Sequence, residues 1–460
     1  MVAVVAGAVV LRVALITWNV VQRPEVFRPP PEDVAALEEA FADPVHPFVH
    51  PVGFEVSNVA FSAVCFGEGY SSPFGGGTGP TAWAAPGVVA VFAFAFATAG
   101  CFSGGSVLVL QAVAVTVSAG LVLLAGAVGR RLYASRVAGL WAAALVAVSF
   151  WDLRHYLSAS WHDLNLPALG LTAVLAALLG LRERPTPGRV ATCGAVSAAA
   201  GLANPVLLVA AGAGLAWLAV RGRLRPVGTV KAVLGFLLIH LAVVGPYVLW
   251  QHGRLDRWVL VKSNLPFELY LGNRPDVGGV LTGESLARHH PGQNREAFRR
   301  YRTLGEAEFV RRRGLQFARE LEPARFLRAT ARRAWHFFFW HRRQPWDGGW
   351  KLVAERLIGA VPGLVLLAYP LIRRRHRRGS ADAVVYVVLG AYAAPYLVTG
   401  VTERYVAAVT PTVLILLAGL VSGAARRGPR PEDEGPGERT PVPGPSPARP
   451  PAGARGGRGP

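Results

Sequence analysis

The sequence predicts an all-α, polytopic integral membrane protein with about ten transmembrane helices, interfacial helices and a large outer loop. Three observations predict it. Apolar residues come in long uncharged runs: residues 84–128 hold no charged side chain, well beyond the roughly 20 apolar residues a membrane span needs. The short segments between runs alternate between arginine-rich and arginine-poor. The polar residues that a purely structural bundle would not need collect in three segments on the side whose short loops are arginine-poor, one of them a long loop that is itself rich in arginine. Lipid offers no partner to a bare N–H or C=O group, so runs of this kind are helices.

In order, the spans are expected at about 2–21, 105–128, 137–150, 165–181, 190–203, 205–220, 231–250, 353–372, 383–399 and 405–424. One set of connecting segments carries Arg130, Arg131, Arg136, Arg182, Arg184, Arg189, Arg221, Arg223, Arg225, Lys231, Arg373, Arg374, Arg375, Arg377, Arg378, Arg426 and Arg427. The opposite short loops carry only Arg154 and Arg404. Basic residues stay cytoplasmic in short loops, so the second set faces outward. The net charge of +20 is therefore an orienting charge, and no nucleic-acid partner is expected.

The first span contains Arg12, which costs about 2.5–3.5 kcal/mol at a helix centre. Arg12 either snorkels, faces a polar cavity, or marks the end of a span whose upstream residues are missing. The 2–21 run lacks a basic leading segment and does not read as a cleaved signal peptide. Residues 22–104 form the first outer loop. Within it, residues 84–102 are apolar enough to span, but Pro80, Trp83 and Pro86 suit an entry along the outer interface. The large outer loop, 251–350, ends in a basic amphipathic run over 308–343, expected on the membrane surface. Residues 1–425 make one transmembrane domain. Residues 426–460 are rich in Pro, Gly and Arg and are expected to be a disordered cytoplasmic tail.

Cys65, Cys101 and Cys193 form no CxxC pair, and three is the wrong count for a disulfide framework. They read as small packing residues. His46 and His50 are four apart, but Pro47 between them breaks the helix a metal pair would need, so no metal site is expected.

The outer segments carry the candidate chemistry. Residues 54–66 predict a short amphipathic helix with Glu55 in its first turn. A carboxylate there is either a plain N-terminal charge favoured by the helix dipole or, raised in pKa by burial, a proton acceptor. Asp163 lies at the mouth of the following helix, as a cap or as a functional acid. Lys262, Glu268, His290-Pro291-Gly292-Gln293-Asn294 and Gly305-Glu306 punctuate the large loop. Arg404-Tyr405 opens the last span. An Arg at that depth needs an anion, and a lipid phosphate matches its fork.

These residues resemble, in order, the motifs of GT-C membrane glycosyltransferases. The nearest pattern is that of the bacterial family 39 proteins, related to protein O-mannosyltransferases and to the aminoarabinose transferase of lipid A. GEGYSSPF and GPTAW resemble the first outer loop. Gly129-Arg130-Arg131-Leu132-Tyr133 resembles the basic turn after the second span. KSN…ELYLGNRP, HPGQN and LGEAEF resemble the large loop, and Arg404-Tyr405…Pro411 the late span. Two places depart from the pattern: Asn58, where many relatives have Tyr, and Ala84-Ala85-Pro86-Gly87, where a richer proline stretch is usual.

The resemblance implies a multi-pass enzyme of a bacterial plasma membrane with an extracytoplasmic site. It implies an inverting transfer of a sugar from a polyprenyl-phosphate carrier to a protein, lipid or glycan acceptor. Glu55 would be the catalytic carboxylate and Asp163 a second acid. Arg404 and Tyr405, with Arg12 or Lys262, would hold the donor phosphate. No cofactor is implied. Two other readings compete: a transporter or flippase, which needs polar residues near the bilayer midplane, and a non-catalytic subunit of envelope polysaccharide assembly.

Overall fold

The computed structural model describes the chain outside residues 23–30, 49–52, 102, 150–152, 154–162, 222–225, 340–349, 375–379 and 424–460. The expected disordered tail, His50 and most of the loop before Asp163 therefore lie outside the described residues.

Seventeen helices follow one another among the described residues. The first loop contributes α2 (Pro31–Ala42), α3 (Glu55–Val64) and α4 (Pro86–Ala99) after α1 (Val2–Gln22). Next come α5 (Gly104–Tyr133), α6 (Arg136–Ala147), α7 (Leu166–Glu183), α8 (Pro187–Ala203), α9 (Val206–Val220) and α10 (Pro226–Leu255). The large loop holds α11 (Leu265–Gly272), α12 (Gly283–His289), α13 (Arg295–Glu320) and α14 (Pro323–Phe338). The chain closes with α15 (Trp350–Arg374), α16 (Ser380–Val398) and α17 (Glu403–Val421).

Six of these are long and apolar enough to cross a membrane: Val2–Gln22, Gly104–Tyr133, Leu166–Glu183, Thr229–Leu255, Ala381–Val398 and Glu403–Val421. The other four expected spans coincide with α6, α8, α9 and α15. Helix α4 has fourteen residues, roughly 21 Å at 1.5 Å per residue. That falls short of a hydrocarbon core about 30 Å thick.

Local chemistry explains the breaks. Ala134 adopts the left-handed conformation that ends α5, and Ser135 caps α6 by accepting the Ala138 amide. Ser103 caps α5 and Thr186 caps α8 in the same way. The main core cluster joins α5, α6, α7, α9, α16 and α17. Small residues bring these helices together; a Cβ on Gly419 would fall on the Tyr133 ring. Tyr133 also packs against Tyr369 of α15. The Arg130–Tyr133 end of α5 thus meets the C-terminal part of α17, about fifteen residues and roughly 22 Å along that helix from Arg404.

Two expectations are corrected. Helix α3 puts Glu55 in its first turn as expected, but the polar residues of the expected amphipathic helix do not form an open face: Glu55, Ser57, Asn58, Val59, Ala60, Phe61 and Ser62 are all buried. Its polar residues serve the first loop; Asn58 Nδ2 donates to the Phe48 and Pro73 carbonyls at 2.8 and 3.0 Å. The cysteines are not all packing residues. Cys65 and Cys101 form a disulfide across 36 residues, with Cα atoms 6.3 Å apart, while Cys193 is free and buried. The bridge ties the end of α3 to the end of α4.

Candidate active site

The first loop reaches the site through Trp83, which is fully buried. The stretch before it is fixed from the large loop. Glu306, 3% exposed, accepts hydrogen bonds from the Thr81 hydroxyl, the Ala82 amide at 3.0 Å, Ser263 Oγ at 2.5 Å and Tyr301 Oη at 2.9 Å. Arg257 adds an ion pair at 3.3 Å. Gly305 makes this reach possible by breaking α13 at φ 72°, a value an L side chain resists. Gln251 Nε2 donates to the Thr81 carbonyl at 3.1 Å, and Ser263 N to the Ala82 carbonyl at 3.0 Å. With this much support, Trp83 Nε1 donates to Glu55 Oε1 at 2.7 Å.

His290 approaches the same oxygen, its Nε2 lying 3.1 Å from Glu55 Oε1. Burial by itself would push the Glu55 carboxyl up. The hydrogen bond from His290, followed by the charges of Lys262 and Arg404, more than reverses this and holds the group down at about 2. The expectation that burial would raise Glu55 is thus overturned: cations and donors win over desolvation.

Lys262 lies in the segment between α10 and α11. Burial and the nearby Arg404 push its ammonium down, while Glu55 and Glu268 pull it back. Glu268, in the first turn of α11, accepts from Asn264 Nδ2 at 3.1 Å. Burial and the Glu55 charge push its carboxyl up, against Lys262.

Arg404 comes from the far end of the chain, placed by contacts between the large loop and the turn before α17. Gly272 approaches the Thr399 carbonyl so closely that any Cβ would collide with it. Arg333 of α14 donates to the Leu397 and Gly272 carbonyls at 2.6 and 2.9 Å and to Asn273 Oδ1 at 2.9 Å. Val280 and Val401 pair as a short bridge. Arg404 then stacks over the Tyr405 ring at 5.1 Å, and Tyr405 stacks on Tyr396 at 3.9 Å. Among the described residues the Arg404 guanidinium makes one hydrogen bond, to Tyr405 Oη at 3.3 Å. Its charge is felt by Glu55, and it feels Glu55 and Asp163 in turn. Asp163 Oδ1 accepts the Asn165 amide at 3.3 Å at the mouth of α7.

Of the residues singled out in the sequence, Glu55, Asp163, Lys262, Arg404 and Tyr405 therefore share one electrostatic neighbourhood, five points drawn from four separate parts of the chain. Arg12 is engaged elsewhere. Its guanidinium bonds to Ser118 Oγ and to the Ala8 and Ala147 carbonyls, bracing α1 against α5 and α6. His46 pairs with Asp43 at 2.7 Å. Sequence reasoning assigned no role to Glu268, His290 or Glu306, and it read Trp83 as part of an interfacial entry, whereas the ring is fully buried and donates to Glu55. The motifs holding them were visible, but a buried Trp or a loop His has an ordinary packing reading until its partner is known.

What the cluster can do chemically is bind an anion against two cations, beside an ionised carboxylate and among aromatic rings. No family model matches the chain, and no curated protein matches it by sequence. Its fold is similar to that of solved structures. The oligosaccharyltransferase of Archaeoglobus fulgidus in its apo form superposes with TM-score 0.50 at 12% identity, over 91% of this chain and 50% of that one. The chain thus spans about half the length of that enzyme. ArnT of Cupriavidus metallidurans matches in the apo state with TM-score 0.37 at 14% identity, over 86% of this chain and 76% of that one. Its structure bound to undecaprenyl phosphate matches with TM-score 0.30 at 15% identity, over 85% and 77%. Over 91% of its length, then, the chain is similar in fold to that oligosaccharyltransferase structure.

Proposed function

We propose that the chain is an inverting glycosyltransferase that moves a sugar from a polyprenyl-phosphate carrier to an acceptor hydroxyl on the extracytoplasmic face of the membrane. The observation that carries this reading is the meeting of Glu55 with Lys262 and Arg404 at one end of the bundle. In one displacement, Glu55 takes the proton of the acceptor hydroxyl as that oxygen bonds to the anomeric carbon. The bond from the anomeric carbon to the phosphate oxygen breaks, and its electron pair leaves on the phosphate. Arg404 and Lys262 stabilise the charge that develops there. The transition state is oxocarbenium-like, as in inverting glycoside hydrolysis.

The low pKa of Glu55 makes it a weak base in solution terms. It acts in a dry site, however, where the ionised form is present throughout the neutral range. The disulfide supports the outward orientation, because such bonds persist in oxidising compartments and this one lies beside α3. The site also lies at the end of α17 away from the Arg130–Arg131 cluster.

The test is transfer by the purified chain in proteoliposomes, supplied with radiolabelled polyprenyl-phosphate pentose or hexose and an envelope extract as acceptor. Glu55→Gln should lower transfer by about 100-fold or more with insertion and expression unchanged. Wild-type turnover in the Gln variant would remove Glu55 from the mechanism.

A further inference from the structure

We propose that His290 is the positioning residue of the Glu55 base, turning the carboxylate so that Oε2 alone is presented to the acceptor. The inference rests on the transferase reading above and adds a residue to it. Both donors that reach Glu55, Trp83 Nε1 at 2.7 Å and His290 Nε2 at 3.1 Å, converge on Oε1. Among the described residues, none donates to Oε2. A carboxylate held by one oxygen in this way keeps its second lone-pair set pointed in one direction.

The imidazole is itself held. Its Nδ1 accepts the Gly292 amide at 3.1 Å, which leaves the ring proton on Nε2, where it faces Glu55. The backbone around the ring is closed by turns: His290 N donates to the Leu286 carbonyl, and Gln293 N and Asn294 N return to the His290 carbonyl, at 2.8–2.9 Å. A Cβ on Gly292 would meet the Phe54 ring at 2.6 Å, so Gly292 lets this turn seat directly against the residue before Glu55.

Four rings surround the imidazole, Phe54 and Phe74 at 5.4 Å, Phe267 at 5.5 Å and Trp83 at 5.9 Å between centroids. His290 is 3% exposed. The box keeps water from competing for Oε1, so the two donors act at low dielectric, where they are strongest. His290 gains and loses no proton in the transfer; its Nε2–H stays in place while Oε2 takes the acceptor proton. The other charged or titratable groups that act on Glu55 are Lys262, Glu268, Arg404 and Tyr405, and all four remain in the variants below.

The test compares His290→Phe, which keeps a ring but removes the donor, with His290→Gln, whose amide can reach the place of Nε2. Two readouts are taken on the full chain in proteoliposomes. One is transfer. The other needs no turnover: a hydrophobic carbodiimide modifies protonated carboxyls, and mass spectrometry gives the pH below which Glu55 is labelled. In the Phe variant, labelling should begin at least about one pH unit higher than in wild type. Its kcat should fall about 100-fold, with the donor KM within about threefold of wild type. The Gln variant should recover most of both. Should the Phe variant fail to fold, His290→Met serves as the donor-free variant. An unchanged labelling pH, or wild-type kcat, in a folded donor-free variant overturns the assignment of His290. A wild-type chain that labels as expected but transfers no sugar overturns the transferase reading instead.

Discussion

Arg404 and Glu55 show how far single residues can be read from sequence. Charged groups stand out in a chain whose spans are nearly free of acids, so Glu55, Asp163, Lys262 and Arg404 were legible as candidates. Their partners were not, because Trp83 and His290 come from loops 28 and 235 positions after Glu55 and have packing readings of their own. The sign of the Glu55 shift was also beyond reach, since it depends on which cations the fold brings near. It has a direct consequence. A carboxylate depressed to about 2 stays ionised above that value and is neutralised only as pH falls through it. Transfer should therefore show no loss attributable to Glu55 between pH 7 and about 4; a pH–rate profile in which an acid limb near 5 persists in every variant except Glu55→Gln would contradict this. Arg404 carries a separate expectation. Its fork is engaged by a single hydrogen bond among the described residues, which leaves donors for a phosphate. Arg404→Lys keeps the charge but loses bidentate geometry. Initial rates against donor concentration should show KM rising about tenfold, worth about 1.4 kcal/mol, and more in Arg404→Ala. An unchanged donor KM in the Ala variant would remove Arg404 from the phosphate site.

At the scale of elements, apolar periodicity located the helices well and their surroundings poorly. The basic amphipathic run was legible. Helix α14 exposes Ala324, Leu327, Arg328, Ala331, Arg332 and Trp335 at three- and four-residue spacing, a stripe of apolar and cationic groups suited to a membrane surface. Its opposite face carries Arg333, the staple to the turn before α17, and no spacing rule distinguishes that arginine from its neighbours. The amphipathic pattern of helix α3 did not become an open polar face because its Ser and Asn residues bond to neighbouring loop groups. The Cys65–Cys101 bridge was invisible for a related reason: a separation of 36 residues says nothing about proximity until α3 and α4 are known to run side by side. Closing a loop of that size restricts the unfolded chain by about 4 kcal/mol in the chain-entropy account. Cys65→Ser/Cys101→Ser should accordingly lower the melting temperature of the detergent-solubilised chain, and reduction of the wild type should lower it similarly. A double variant that melts with the oxidised wild type would show that the bridge contributes no stability.

For the molecule as a whole, the site and the basic turn after α5 lie toward opposite ends of α17. Helix α17 shows this directly: Arg404 opens it beside Lys262 and Glu55, and Gly419 packs on Tyr133 next to Arg130 and Arg131. The basic turn after α5, one of the arginine-rich short connections read from the sequence, thus lies far from the site along α17. A membrane across the long helices would separate the short connection carrying Arg130, Arg131 and Arg136 from the site and the large loop, which is itself rich in arginine but too long for the bias to count; the positive-inside bias of short loops assigns the short connection to the cytoplasm. This is testable without activity, because the disulfide and the buried Cys193 leave little background for thiol labelling. Single cysteines placed at two exposed positions, Glu284 in the large loop and Arg184 between α7 and α8, should behave oppositely in intact cells. Glu284→Cys should react with a membrane-impermeant maleimide, and Arg184→Cys should react only after the cells are opened. Equal labelling of both from outside would mean that the bundle does not separate the two ends as argued. Labelling of Arg184→Cys alone would place Glu55 in the cytoplasm, where a disulfide beside it would not persist and an extracytoplasmic transfer could not occur.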